Sequence, residues 1–182
     1  MRNTPIRKII KPFLISLIVL VLGLLALTAL IEKNYVLEKN IEIKASSNQV
    51  MSLLEDFSQW QKWSPWYEVE PHALYRLGGP MGQLGSSLQW DGKIIGKGSL
   101  TLIAKTPTGL TIRMQMIKPR PYTVEGEFLI ETLSSERTRV SWKMSGELRY
   151  PLGRIFSSEI KEMMTRDMER GLHRLQKTAQ KP

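Results

Sequence analysis

The chain has 182 residues, 42% hydrophobic and 24% charged, an ordinary globular composition that excludes a wholly disordered protein. It contains no cysteine, which removes disulfides, thiol catalysis and thiolate metal sites. The net charge is +9, but Arg2, Arg7, Lys8 and Lys11 supply four of the 26 cations before the first acid, and the other 22 are interleaved with 17 acids, too thin a stripe for a nucleic-acid surface.

From Phe13 to Ile31 there is no charged residue. As a helix this run is about 28 Å long, close to the hydrocarbon thickness of a bilayer. A lone segment in hydrocarbon satisfies its backbone only as a helix. Cations precede the run and Glu32-Lys33 follow it. Residues 1–12 are therefore expected in the cytoplasm, 13–31 across the cell membrane, and the remainder on the periplasmic or extracellular side. The rival is a cleaved signal peptide, whose apolar region spans about 7–15 residues before a small-x-small site. Leu27-Thr28-Ala29 lacks the first small residue, and the run is longer, so it reads as an uncleaved single-pass anchor.

Tyr35 to Lys44 alternates as a half-buried strand, with Tyr35, Leu37, Ile41 and Ile43 on one face. Val36 and Lys39 each fall on the wrong face for their polarity. Ser46-Ser47-Asn48 supplies helix caps, and Val50, Leu53, Leu54 and Phe57 then recur at helical spacing. A second short helical or turn segment runs from Asp56 to Trp63 and is ended by Ser64-Pro65.

Beyond Trp66 the pattern is about six strands separated by turn chemistry: Gly78-Gly79-Pro80, Asp91-Gly92, Pro107-Thr108-Gly109, Pro119-Arg120-Pro121 and Ser134-Ser135-Glu136. Leu110, Ile112, Met114 and Met116 oppose Thr111, Arg113 and Gln115. Tyr122, Val124, Gly126, Phe128 and Ile130 share a face against Glu125, Glu127 and Glu131. Val140, Trp142 and Met144 oppose Arg139, Ser141 and Lys143. This predicts a meandering antiparallel sheet with one apolar face and one charged face. After Tyr150-Pro151-Leu152-Gly153 the period becomes helical. Phe156, Ile160, Met163, Met164, Gly171, Leu172 and Leu175 form one stripe, expected to bury against the apolar sheet face. The class is α+β.

Several stretches of this order resemble the START-like (SRPBCC) superfamily and its polyketide cyclase/dehydrase-like group. Ile41 to Val50, with Ala45-Ser46 at the junction, is similar to the family's opening strand and capped helix. Phe57 to Trp66 resembles its aromatic segment, and Gly82 to Trp90 with Gly96-Lys97-Gly98 its glycine-punctuated hairpin. Thr138 to Gly146 resembles the last strand, and Asp167 to Leu175 the closing helix. The resemblance covers residues 35–178. It implies a helix-grip fold, an antiparallel sheet wrapped around the C-terminal helix, with a cavity for lipids, sterols, polyketides or other apolar molecules. Only some members are enzymes.

For chemistry the sequence offers little. His72 and His173 are far apart, and no His-x-x-x-His, Gly-x-Ser-x-Gly or phosphate loop is present, so nothing asks for a metal or a cofactor. The loop Gly78 to Gly82 reads as a turn beside the cavity mouth. Asp167 projects from the apolar stripe; in a pocket it would serve as general acid, base or ligand anchor, and at the helix edge it would pair with Arg170, Arg174 or a strand cation. Trp60, Trp63 and Trp66, spaced by three, line a pocket, plug the end of the sheet or meet the bilayer surface. Trp142 points inward. Tyr122, Phe128, Met114, Met116, Met144, Phe156, Ile160, Met163 and Met164 complete the cavity candidates, with ordinary core filling as the alternative for the methionines. Three functions are open: a tethered binding module for an apolar small molecule or lipid, a cyclase- or hydrolase-type enzyme using Asp167 with Tyr122 or Tyr75, and an envelope module that binds a protein partner on its surface.

Overall fold

The computed structural model describes residues 5–181. It opens with α1 (Pro5–Ala29), which ends two residues before the apolar run does. Within it, Ile10–Ala29 has a mean hydropathy of 2.6 and no residue of it is fully buried; only its last turns touch the domain. This helix is long and apolar enough to cross a membrane.

The domain follows as β1 (Asn34–Ile43), α2 (Ser47–Glu55), a 3₁₀ helix (Phe57–Lys62), α3 (Pro65–Val69), β2 (Leu74–Gly78), β3 (Ser87–Asp91), β4 (Lys97–Thr106), β5 (Gly109–Lys118), β6 (Tyr122–Ser134), β7 (Arg137–Glu147), α4 (Leu152–Ile155) and α5 (Ser157–Ala179). The seven strands form one antiparallel sheet in the order β1-β7-β6-β5-β4-β3-β2. Every neighbour but one is a sequential meander; only β1 is placed by a long return, beside the last strand. With the long α5 on its apolar face this is the helix-grip architecture.

The alternation read from sequence produces the two faces. Leu100, Leu102, Ile112, Val124, Phe128, Ile130, Val140 and Trp142 are buried on the inner face. The outer face carries a cross-strand ladder, Glu42–Arg139–Glu131 at 2.9 Å on both sides and Arg113–Glu125 at 2.9 Å. These exposed pairs are screened by solvent, so the ladder fixes register more than it stabilises. Lys39, out of place by polarity on the inner face, is explained by its partner: its Nζ meets Glu169 of α5 at 2.6 Å.

Register shifts leave Ile117 of β5 and Ile103 of β4 unpaired, two bulges that bend and twist the strands locally. Gln176 Nε2 donates to Glu42 O at 2.7 Å, Arg174 Nε to Trp63 O at 3.1 Å, and Thr178 Oγ1 to Lys62 O at 3.3 Å. The second half of α5 is thereby fastened to β1 and to the 3₁₀ segment.

Candidate functional site

The aromatic segment decides how much space the grip encloses. A 3₁₀ helix has three residues per turn, so Phe57, Trp60 and Trp63 lie on one edge of it, and all three are completely buried. Trp60 Nε1 donates to Leu54 O and Trp63 Nε1 to Leu53 O, each at 2.9 Å. Those carbonyls belong to the last turn of α2, which has no partner within its own helix. Two indoles therefore cap α2 while their rings fill the interior. Trp60 stacks on Trp66 at 6.4 Å, and Trp63 meets Phe128 and Trp142 edge-on at 6.2 and 6.4 Å. Phe128 and Trp142 stack at 4.9 Å. Trp142 fits because two glycines face it: a Cβ at Gly171 would come within 3.0 Å of its ring and one at Gly126 within 3.3 Å of its indole nitrogen. Trp60, Trp63, Phe128, Trp142 and the buried Met114 and Met144 thus belong to a packed core. Trp66 and Met116 pack against it from its margin.

That core leaves a void of only about 10 Å³ beneath Trp66, Tyr75 and Ser64, space for at most one water. A far larger cavity in the domain lies elsewhere. It measures about 500 Å³ and sits beside the first half of α5, where Phe156, Ile160, Met163 and Met164 form one wall. Tyr35 of β1 and Leu148 and Arg149, just past β7, form another, and the β5–β6 turn Pro119-Arg120-Pro121 with Tyr122 closes the side. Leu152 and Gly153 of α4 lie at the rim. Of the sequence candidates, Tyr122, Phe156, Ile160, Met163 and Met164 line this cavity; the tryptophans and the strand methionines do not.

Arg120, Arg149 and Glu147 bring charge to the lining, and two phenols face it. Burial pushes the Tyr35 phenol up to about 12, with Tyr122 adding to the shift. Burial and the Asp167 charge raise that of Tyr122 as well. Both are neutral hydrogen-bonding phenols at physiological pH. Asp167 itself is absent from the cavity lining: it is partly exposed, and its carboxylate accepts from Arg170 Nη2 at 2.7 Å. Tyr75 is spent structurally, donating to Glu70 O at 3.0 Å and stacking on Tyr67 at 3.8 Å. His72 and His173 are both exposed. Among the described residues no three His, Asp or Glu side chains converge as a metal site. The lining is mainly apolar, and its ionisable side chains are Tyr35, Arg120, Tyr122, Glu147 and Arg149.

The loop Gly78 to Gly82 is not at the cavity mouth. Lys105 Nζ donates to Gly82 O at 2.8 Å and pairs with Glu55 at 2.7 Å, so the loop is tied to the end of α2. Lys97, at the other end of β4, is the residue that pairs with Lys118 beside the Pro119 turn. The two loops therefore occupy opposite ends of the sheet. The glycines read correctly as a turn, but a turn carries no information about which end of a sheet it joins.

Residues 36–180 match the model of the family described as polyketide cyclase/dehydrase and lipid transport. The chain belongs to that family. Among curated proteins no sequence match reaches significance. Solved structures share the fold of this polyketide cyclase/dehydrase member at low identity. A hypothetical protein from Helicobacter pylori superposes with a TM-score of 0.61 at 12% identity, covering 80% of this chain and 88% of the other. An aromatase/cyclase from Streptomyces sp. R1128 gives 0.60 at 12%, covering 80% and 93%. Truncated norcoclaurine synthase from Thalictrum flavum gives 0.60 at 12%, covering 82% and 95%. Two of the three are enzymes by name, and at this identity they speak to the fold alone.

Proposed function

We propose that this family member is a membrane-tethered, non-catalytic binding domain for an apolar small molecule or lipid, with α1 as the tether and the cavity beside the first half of α5 as the ligand site. The observation that carries the reading is the contrast between a solid aromatic core and an adjoining cavity of about 500 Å³ lined mainly by apolar side chains. That volume and composition suit a small apolar ligand held by shape, with Tyr35 and Tyr122 as orienting hydrogen-bond groups. Binding is favoured over cyclase- or hydrolase-type catalysis because Asp167, the carboxylate proposed for it, is engaged by Arg170. Cations before the apolar run favour an orientation with the domain on the periplasmic or extracellular side.

The test uses a soluble form beginning at Lys33, produced in the cell envelope and purified without detergent. Native mass spectrometry followed by solvent extraction is expected to show a stoichiometric apolar adduct and to identify its class. A clean apo mass, with no uptake across a panel of lipids and aromatic compounds, would overturn the binding reading and favour a protein-interaction role.

A further inference from the structure

The cavity has a rim, and the rim touches the end of α1. Tyr150 Oη donates to Leu25 O at 3.1 Å and Arg154 Nη1 to Ala29 O at 2.8 Å, while Leu148 N donates to Lys33 O at 2.6 Å. Leu25 lies four residues before the end of α1, about 6 Å along its axis. The Tyr150 hydroxyl is thus level with the last turn of the apolar helix, not above it. Around that point the chain exposes apolar side chains that the fold leaves uncovered: Leu152, Ile155 and Phe156, each close to half exposed, beside Leu30 and Ile31. Arg120 and Arg149 flank them, and neither has an ion-pair partner among the described residues; the nearby Glu147 is taken by Lys33 at 3.5 Å.

We infer that this rim is a lipid-docking surface: the segment Tyr150–Phe156 inserts into the interface of the same bilayer that α1 spans, Arg120 and Arg149 meet its phosphate headgroups, and the cavity exchanges its ligand directly with the membrane. An aromatic hydroxyl, a short apolar stretch and flanking guanidinium groups are the side chains that an interface stabilises. The hydrogen bonds to α1 fix the depth, because an α1 that spans the bilayer to its end at Ala29 carries α4 to the hydrocarbon boundary with it. Leu152, Phe156, Arg120 and Arg149 belong to both the rim and the cavity lining, so the opening lies on the docked face. The inference rests on α1 acting as the tether.

The absence of cysteine makes the test clean, since one introduced thiol is the only one to label. In the full chain reconstituted into phosphatidylethanolamine–phosphatidylglycerol vesicles, a spin label would be placed in separate variants at Ile155→Cys, Leu152→Cys, Leu84→Cys and Leu20→Cys. Accessibility to oxygen relative to a water-soluble nickel chelate reads depth. The two rim labels are expected to favour oxygen several-fold more than the label at Leu84, which sits in the β2–β3 loop at the opposite end of the sheet. Rim labels as nickel-accessible as Leu84, with Leu20 still in hydrocarbon, would overturn the docking while leaving the tether intact. A water-exposed Leu20 label would overturn both. The carrier reading stands or falls separately, on the adduct measured without α1.

Discussion

One helix serves two ends of this molecule differently. The second half of α5 buries Met168, Gly171, Leu172, Leu175 and Ala179 against the tryptophan core. Its first half, Ile160 to Met164, faces open space, with Phe156 at its start 51% exposed whereas Trp142 is 1% exposed. The amphipathic pattern is continuous across both. What changes is the opposing surface: bulky indoles from the 3₁₀ segment fill one end of the grip, and at the other end the strands give way to turns that stand back from the helix. In this fold, capacity for a ligand is set by which end the aromatics occupy and not by the helix that closes both.

The sharpest way to break that comparison is Trp142→Ala. Removing a fully packed indole from between Gly126, Gly171, Phe128 and Trp63 is expected to cost about 3–5 kcal/mol. A thermal melt followed by near-ultraviolet circular dichroism should fall by roughly 10 °C, using about 2–4 °C per kcal/mol in a domain of this size. A melt within a degree or two of wild type would mean the packed end is not what holds the fold together.

Tyr35 tests the open end by pH. Its folded pKa of about 12 exceeds the ordinary tyrosine value of 10.0, so the folded state holds the proton more tightly. The contribution is fully present below pH 10 and is lost as pH rises from there through about 12. Two pK units bound it at about 3 kcal/mol. Tyr75, also raised to about 12 through burial and the charges of Tyr67 and Glu70, acts in the same sense near the packed end. Tyr35→Phe should therefore blunt, not abolish, the alkaline loss of stability between pH 10 and 12. An unchanged alkaline limb in urea titrations would assign that loss to Tyr75 and other groups.

These differences mark what the sequence discloses. Alternation in β5, β6 and β7 placed the inner face residue by residue, because a half-buried strand writes its environment with period two. The helical stripe identified the side of α5 that faces inward, yet not what lies opposite it. Periodicity reports polarity per face, so Phe156 and Leu175 look alike. Met168 and Ala179 escaped notice although they are buried. The three-residue spacing of Phe57, Trp60 and Trp63 held the decisive information, since it matches a 3₁₀ edge aimed into the interior, while Trp66 begins the next helix and packs at the margin. The remaining cavity walls, Pro119 to Pro121 and Leu148 to Gly153, come from turns, where no period exists to read. Their prolines were legible as turn residues, but their meeting with Tyr35 depends on β1 returning beside β7, a long-range pairing with no local signature.

Adding volume sharpens the same contrast at lower energy. Gly171→Leu pushes into Trp142 and Pro65, 3.0 and 3.2 Å from a Cβ there, and should cost about 1–3 kcal/mol. Ile160→Trp extends into the cavity and should change stability by less than about 1 kcal/mol while eliminating uptake of the extracted ligand in a native mass spectrum. Equal destabilisation by both variants would show that the two halves of α5 are packed alike and that the cavity is closed in solution.

The smallest expected effect isolates one staple of the sheet. Glu70, following α3, accepts the backbone N–H groups of Ile95, Ile94 and Lys93 at 3.0, 2.8 and 2.8 Å and so ties the β3–β4 turn to the helical segment. Those hydrogen bonds, led by that of Ile95, hold its carboxyl below the usual glutamate range. A depressed pKa means the contribution is present above the ordinary value of 4.5 and is lost as pH falls through the folded value. Glu70→Gln keeps an acceptor oxygen but gives up the charge that strengthens all three bonds. Its melting temperature should lie below wild type at pH 6, and the gap should close as pH falls below 4.5 and the wild-type carboxylate is itself protonated. Other carboxylates titrate equally in both proteins and cancel from the difference. A gap that stays constant over this range would show that the three bonds depend on the shape of the acceptor and not on its charge.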